Sequence, residues 1–193
     1  MNIKNTYRQQ ALARRRALSM VQRQQASDKI MQQLIAYLAQ KPDLQHMPKL
    51  VYRALDDEVS TASLFEAAGE STNAKIYAPV THAAGHMTWH RISATTRWRR
   101  GAFGICEPVG GDVWSEDAAV LLCPLVGFDR SGNRLGLGKG CFDRWLADHK
   151  NHMLQIIGLA FACQECPPIP AEAHDVALDA IITEKEVIAC QSN

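Results

Sequence analysis

At 193 residues the chain falls within the roughly 100–200 residues of an ordinary domain, so residues 1–193 are read as a single domain long enough to bury a core. Apolar residues make up 47% and charged residues 21%, which excludes long disorder, collagen-like repeats and coiled coil. No apolar run approaches the ~20 residues of a bilayer span, and residues 1–25 are polar and Arg-rich without the apolar stretch of a secretory signal, so the expected setting is cytoplasmic with no membrane partner.

The six cysteines, Cys106, Cys123, Cys141, Cys163, Cys166 and Cys190, are scattered over a chain too large to need staples and are read as reduced thiols. Cys163 and Cys166 have metal-ligand spacing, but no second Cys or His pair nearby completes four ligands. The net charge of +1 hides an asymmetry. Residues 1–29 carry Lys4, Arg8, Arg14, Arg15, Arg16, Arg23 and Lys29 against Asp28 alone, whereas residues 165–186 carry six acids and only Lys185. Such a start either faces an anionic partner or forms a solvated helix face.

In chain order, residues 4–17 are strong helix formers and predict a helix. Ser19 to Gln22 has the S-x-x-Q pattern of a capping box, so a second helix should start there, turn Ile30, Leu34, Tyr37 and Leu38 to a core, and end at Pro42. Beyond it, short β-branched runs alternate with helical stretches. Residues 49–54, 75–80, 87–92, 119–126, 154–160 and 176–182 are strand candidates, with helices over 61–68 and 141–150 between them. Residues 119–126 and 154–161 are apolar almost throughout, as strands covered on both faces would be. The expectation is a single-domain α/β layered fold with a mostly parallel or mixed central sheet flanked by helices.

The most informative stretch is 124–143, which leaves the C-terminal end of the most hydrophobic strand, where open α/β sheets place ligands. Gly136, Gly138 and Gly140 alternate around Lys139 ahead of a predicted helix. Glycines let backbone N–H groups approach an anion, the lysine supplies a point charge, and the helix start adds a partial positive end. This is a phosphate cradle but not a Walker A motif, because Gly140 rather than Ser or Thr follows Lys139. Arg134 before the turn can clamp phosphate oxygens, and Asp143 after it can hold a divalent cation. Residues 129–132 have the composition of an ordinary turn. Lys4 and Arg8 share a helix face that could grip a polyphosphate, with Arg15 further along. Asp56, Asp57 and Glu58 follow the first strand and either accept hydrogen bonds from a substrate or cap the next helix. His174, Asp175 and Asp179 are either metal ligands or a turn into the last strand.

On these residues the sequence resembles the 5-formyltetrahydrofolate cyclo-ligase (5,10-methenyltetrahydrofolate synthetase) family over nearly its whole length. The resemblance rests on Lys4-x-x-x-Arg8, on Asp57-Glu58, on the Gly-Ile-x-Glu-Pro segment at 104–108, and on the long G-F-D-x-x-G-x-R-L-G-x-G-K-G-x-[YF]-D signature at 127–143. It implies ATP- and Mg²⁺-dependent ring closure of 5-formyltetrahydrofolate to 5,10-methenyltetrahydrofolate by a monomer working on small molecules. Arg134 and Lys139 would be catalytic. Lys4, Arg8, Arg134, Leu135, Gly136, Leu137, Gly138, Lys139, Gly140, Cys141 and Phe142 would contact ATP. Tyr52, Glu58, Phe103 and Cys141 would meet the folate, and Asp143 and Asp179 would hold Mg²⁺. Two departures stand out: Cys141 replaces a usual Tyr, leaving Phe142 as the aromatic contact, and Leu125 replaces a usual Gly and narrows the backbone approach. The alternatives are an ATP-dependent phosphotransferase on another small acid, or a nucleic-acid-binding module using the basic N-terminal helix, which lacks interleaved aromatics.

Overall fold

In a computed structural model, residues 2–70, 75–101, 104–115, 117–172 and 175–190 are described. The chain opens with helices α1 (Ile3–Ala17), α2 (Met20–Ala39) and the one-turn α3 (Pro42–Gln45), then β1 (Lys49–Val51), α4 (Ala62–Glu70), β2 (Ile76–Thr81) and β3 (Met87–Arg91). A small hairpin, β4 (Arg97–Arg100) and β5 (Cys106–Val109), leads to β6 (Ala119–Pro124). The rest comprises β7 (Gly127–Phe128), β8 (Arg134–Leu135), α5 (Cys141–His149), β9 (Met153–Leu159), β10 (Ala180–Ile182) and β11 (Val187–Ala189).

The capping box forms as its spacing predicts: the Ser19 hydroxyl accepts from the Gln22 N–H and the Gln22 side chain accepts from the Ser19 N–H. Pro42 plays a different part from the expected stop. The helix has already ended at Ala39, and Pro42 opens α3, where a missing N–H costs nothing.

Seven strands form one mixed sheet in the order β11-β10-β9-β6-β1-β2-β3. The five inner strands are parallel, and β3 and β11 close the two edges antiparallel. Alternate residues face opposite layers, as the period of two requires. Val51, Val120, Leu122 and Ile157 pack under α2 and α4, through Ile30, Leu34 and Phe65. Leu50, Leu121, Cys123 and Ile156 pack on the other face against Trp145 and Leu146 of α5 and against Val176 and Leu178. The strand expected over 176–182 is shorter, because only Ala180–Ile182 pairs with β9. Residues 176 and 178 instead cover the sheet, and the Leu178 N–H donates to the Gly132 carbonyl.

Among the five parallel strands the spatial order is second, first, third, fourth, fifth along the chain. The winding therefore reverses between β1 and β6, and the crevice beyond the carboxyl ends of these two strands is where such sheets bind ligands. Among the described residues no helix is long and apolar enough to cross a membrane.

Candidate active site

A cavity of about 220 Å³ opens at that reversal point. Tyr52, Leu55 and Glu58 enter it from the end of β1, Pro124, Leu125 and Val126 from the end of β6, and the 136–143 segment closes one side. Pro79, Met87 and Ile105 add apolar surface to the lining.

The loop after β1 is tied into a fixed shape. The Tyr52 hydroxyl donates to the Val59 carbonyl at 2.8 Å, and the Thr61 hydroxyl donates to the Tyr52 carbonyl at 2.8 Å. Burial raises the Tyr52 pKa well above its ordinary value, so its hydroxyl stays a neutral donor. Within the loop the Glu58 carboxylate accepts from the Leu55 N–H at 2.9 Å. Burial pushes the Glu58 pKa upward, against the opposing pull of that hydrogen bond and of the Arg15 charge.

Arg15 is the residue sequence reasoning undervalued. It is 1% exposed on α1, and its guanidinium lies 2.9 Å from Asp57 and 3.8 Å from Glu58 while donating to the Leu125 carbonyl at 3.5 Å. One cation thus ties together the two loops that flank the reversal point. Its signal in the sequence was only one arginine in a run of three.

The glycine turn behaves as its composition suggests. Gly138 and Gly140 have φ of 87° and 65°, the left-handed region that other residues rarely adopt, and Gly140 caps the start of α5. Lys139 lines the cavity, and its carbonyl accepts from Arg144 at 2.8 Å. Arg134 and Asp143 both line the cavity and form an ion pair, and Arg134 also donates to the Val176 carbonyl. Leu137, Cys141 and Phe142 line it as well. Leu135 is buried beneath the turn. The Leu125 departure is accommodated by Gly158, because a Cβ there would stand 2.8 Å from a Leu125 methyl.

The remaining expected residues are placed differently. Arg8 donates to the Gly136 carbonyl at 2.8 Å, which sets it beside the turn. Lys4 lies outside the cavity lining and is paired with Asp175 at 2.7 Å and Glu172 at 3.0 Å. Burial works against its charge, yet the two carboxylates outweigh it and raise its pKa. Asp179 is not brought into the cavity. It precedes β10, and its carboxylate accepts the Ile156 N–H at 2.7 Å, completing the sheet pairing there. Phe103 and His174 lie outside the described residues. Asp129 does more than shape a turn, since it accepts from the Ser131, Asn133 and Ile169 N–H groups. All six cysteines are unbridged, and burial holds the Cys123 thiol at a pKa of about 11. No cluster of three or more metal-ligating side chains occurs among the described residues.

The model of the 5-formyltetrahydrofolate cyclo-ligase family matches residues 1–184. The chain belongs to that family. It is 32% identical over 166 residues to the 5-formyltetrahydrofolate cyclo-ligase of Haemophilus influenzae, covering 83% of this chain and 87% of that one. It is 30% identical over 179 residues to the Escherichia coli K12 cyclo-ligase, covering 90% and 96%. The solved 5,10-methenyltetrahydrofolate synthetase of Aquifex aeolicus superposes with a TM-score of 0.80 at 27% identity, over 99% of this chain and 94% of that one. A family whose reaction consumes ATP accounts for a cavity lined by both a glycine–lysine turn and apolar side chains.

Proposed function

We propose that this cyclo-ligase family member converts 5-formyltetrahydrofolate and ATP into 5,10-methenyltetrahydrofolate, ADP and phosphate. The observation that carries this is the cavity at the β1/β6 reversal, which a cationic glycine turn, apolar side chains and the carboxylates of Glu58 and Glu107 line together. The formyl oxygen attacks the γ-phosphorus, forming the O–P bond as the bond to ADP breaks. The N10 lone pair then attacks the activated formyl carbon, N10 loses its proton, and the C–O bond breaks to release phosphate. Such chemistry asks the protein mainly to position two substrates and neutralise charge on the transferring group.

Lys139 and Arg134 are the charges suited to that task, with the N–H groups of residues 136–140 and the start of α5 behind them. Leu135, Leu137, Cys141 and Phe142 shape the same turn, and Arg8 stands at its edge. Lys4 reaches a polyphosphate only by exchanging Asp175 and Glu172 for it. Tyr52 and Glu58 serve the folate end, with Phe103 next to the 104–108 segment in sequence. Mg²⁺ fits the donors present: Asp143 brings one carboxylate to the cavity beside the lysine turn, and an ion that keeps substrate phosphates and waters needs only one or two such ligands. When bound, it neutralises phosphate charge. Asp179 joins it only if its carboxylate leaves the Ile156 N–H. Six unbridged thiols support a reducing, cytoplasmic setting.

The test supplies the purified chain with ATP, Mg²⁺ and 5-formyltetrahydrofolate and follows the near-ultraviolet absorbance of the methenyl product. Product and phosphate should appear together. ATP consumption without methenyl product would point to a phosphotransferase instead.

A further inference from the structure

We propose that Glu107 is a specificity-determining residue that recognises the amino-pyrimidine edge of the substrate's pteridine ring; the inference rests on the cyclo-ligase reading and deepens it. Glu107 lies on β5, is 3% exposed, and lines the apolar end of the cavity beside Thr81, Met87 and Ile105. One carboxylate oxygen accepts the Thr81 N–H at 2.9 Å. The other faces Gly101, where a Cβ would stand 2.1 Å away, so the β4–β5 hairpin can pass over the carboxylate only because position 101 has no side chain. The group is therefore hydrogen-bonded on one side and lies against the hairpin backbone on the other. Among the described residues no cation pairs with it.

A buried carboxylate with one neutral donor is incompletely compensated, and a ligand bringing further N–H donors completes it. The pteridine of a folate carries a 2-amino group and an adjacent ring N–H on one edge, a planar pair of donors that matches a carboxylate fork as a guanidinium does. Glu58, the other buried carboxylate of the cavity, is already engaged by the Leu55 N–H and by Arg15. Pro79, Met87 and Ile105 around Glu107 supply an apolar slot for a flat ring.

The experiment measures binding of 5-formyltetrahydrofolate and of its analogue lacking the 2-amino group to the full chain without ATP, for the wild type, Glu107→Gln and Glu107→Leu. The wild type should prefer the parent compound by roughly 10- to 100-fold, the range of a lost hydrogen bond to a charged group. Glu107→Leu should bind the two compounds equally, and Glu107→Gln should keep an intermediate preference, because its amide oxygen still accepts. The KM for ATP should stay within about 2-fold in the active variant. A full preference surviving in Glu107→Leu overturns the proposal. Should that variant fail to fold, an undiminished preference in Glu107→Gln does the same. A wild type that binds neither compound overturns the cyclo-ligase reading, and this inference falls with it.

Discussion

Replacing Arg15 with Met keeps the aliphatic bulk on α1 and removes the charge that links Asp57, Glu58 and the Leu125 carbonyl. Breaking a buried pair from one side leaves uncompensated charge and costs about 3–5 kcal/mol. Asp57 retains a quarter of its side-chain exposure, so water recovers part of the loss and the lower end applies. A destabilisation of about 3 kcal/mol corresponds to a fall of roughly 6–12 °C in Tm for a chain of this length. The charge also holds the Glu58 pKa down against burial, so its removal should move the acid limb of folate binding to higher pH. Urea unfolding followed by circular dichroism measures the first effect, and the folate Kd against pH measures the second. If Arg15→Met unfolds within 1 kcal/mol of the wild type and leaves the acid limb in place, Arg15 is not the tie between the loops.

Lys139→Ala removes an exposed charge from a turn that contributes little to the core, so kcat/KM should fall by roughly a hundredfold with unchanged Tm. Arg134→Ala should lose both activity and stability, because it also strips the donor from the Val176 carbonyl and the partner from Asp143; equal Tm values for the two variants would refute this. The Glu58 pKa is raised above its ordinary 4.5. The ionised form accepts substrate hydrogen bonds, so folate binding should weaken as pH falls through a midpoint above 4.5. Its raised pKa makes its share of native stability full at lower pH and lost as pH rises through that midpoint, and Glu58→Gln should abolish both dependences. Asp143→Asn should shift the Mg²⁺ dependence of activity to higher concentration, with partial rescue by excess Mg²⁺, whereas superimposable titrations would mean that Asp143 is not a ligand.

What the sequence made legible is what is local. The Gly136–Gly140 turn, the start of α5 and Asp143 are contiguous, and the Ser19 capping box needs only four residues. The inner strands show because both faces are covered, so β6 reads as an uninterrupted apolar run. The β4–β5 hairpin did not show. Its sequence pairs Arg97, Arg99 and Arg100 with a segment holding Glu107 and Pro108, residues that strands disfavour. Arg15 and Glu107 were hidden for a related reason, since their partners lie 42 and 26 residues away and only the fold brings them together. Asp179, to which the resemblance gives a metal-ligand role, also accepts the Ile156 N–H, a contact 23 residues away in sequence that only the fold reveals.

The charge asymmetry has an answer within the molecule. Lys4 pairs with Asp175 and Glu172, and Arg14 donates to the Cys163 and Glu165 carbonyls. The basic helix α1 is thereby latched onto the acidic C-terminal stretch, and these contacts, each worth about 1 kcal/mol or less at the surface, bring Arg8 to the Gly136 carbonyl. Lys4 and Arg14 are therefore committed to contacts within the chain, whereas Arg16 remains largely exposed. Lys4 is thus engaged by two carboxylates within the chain. The rest of α1 is anchored separately, through the buried Ala11 and Arg15.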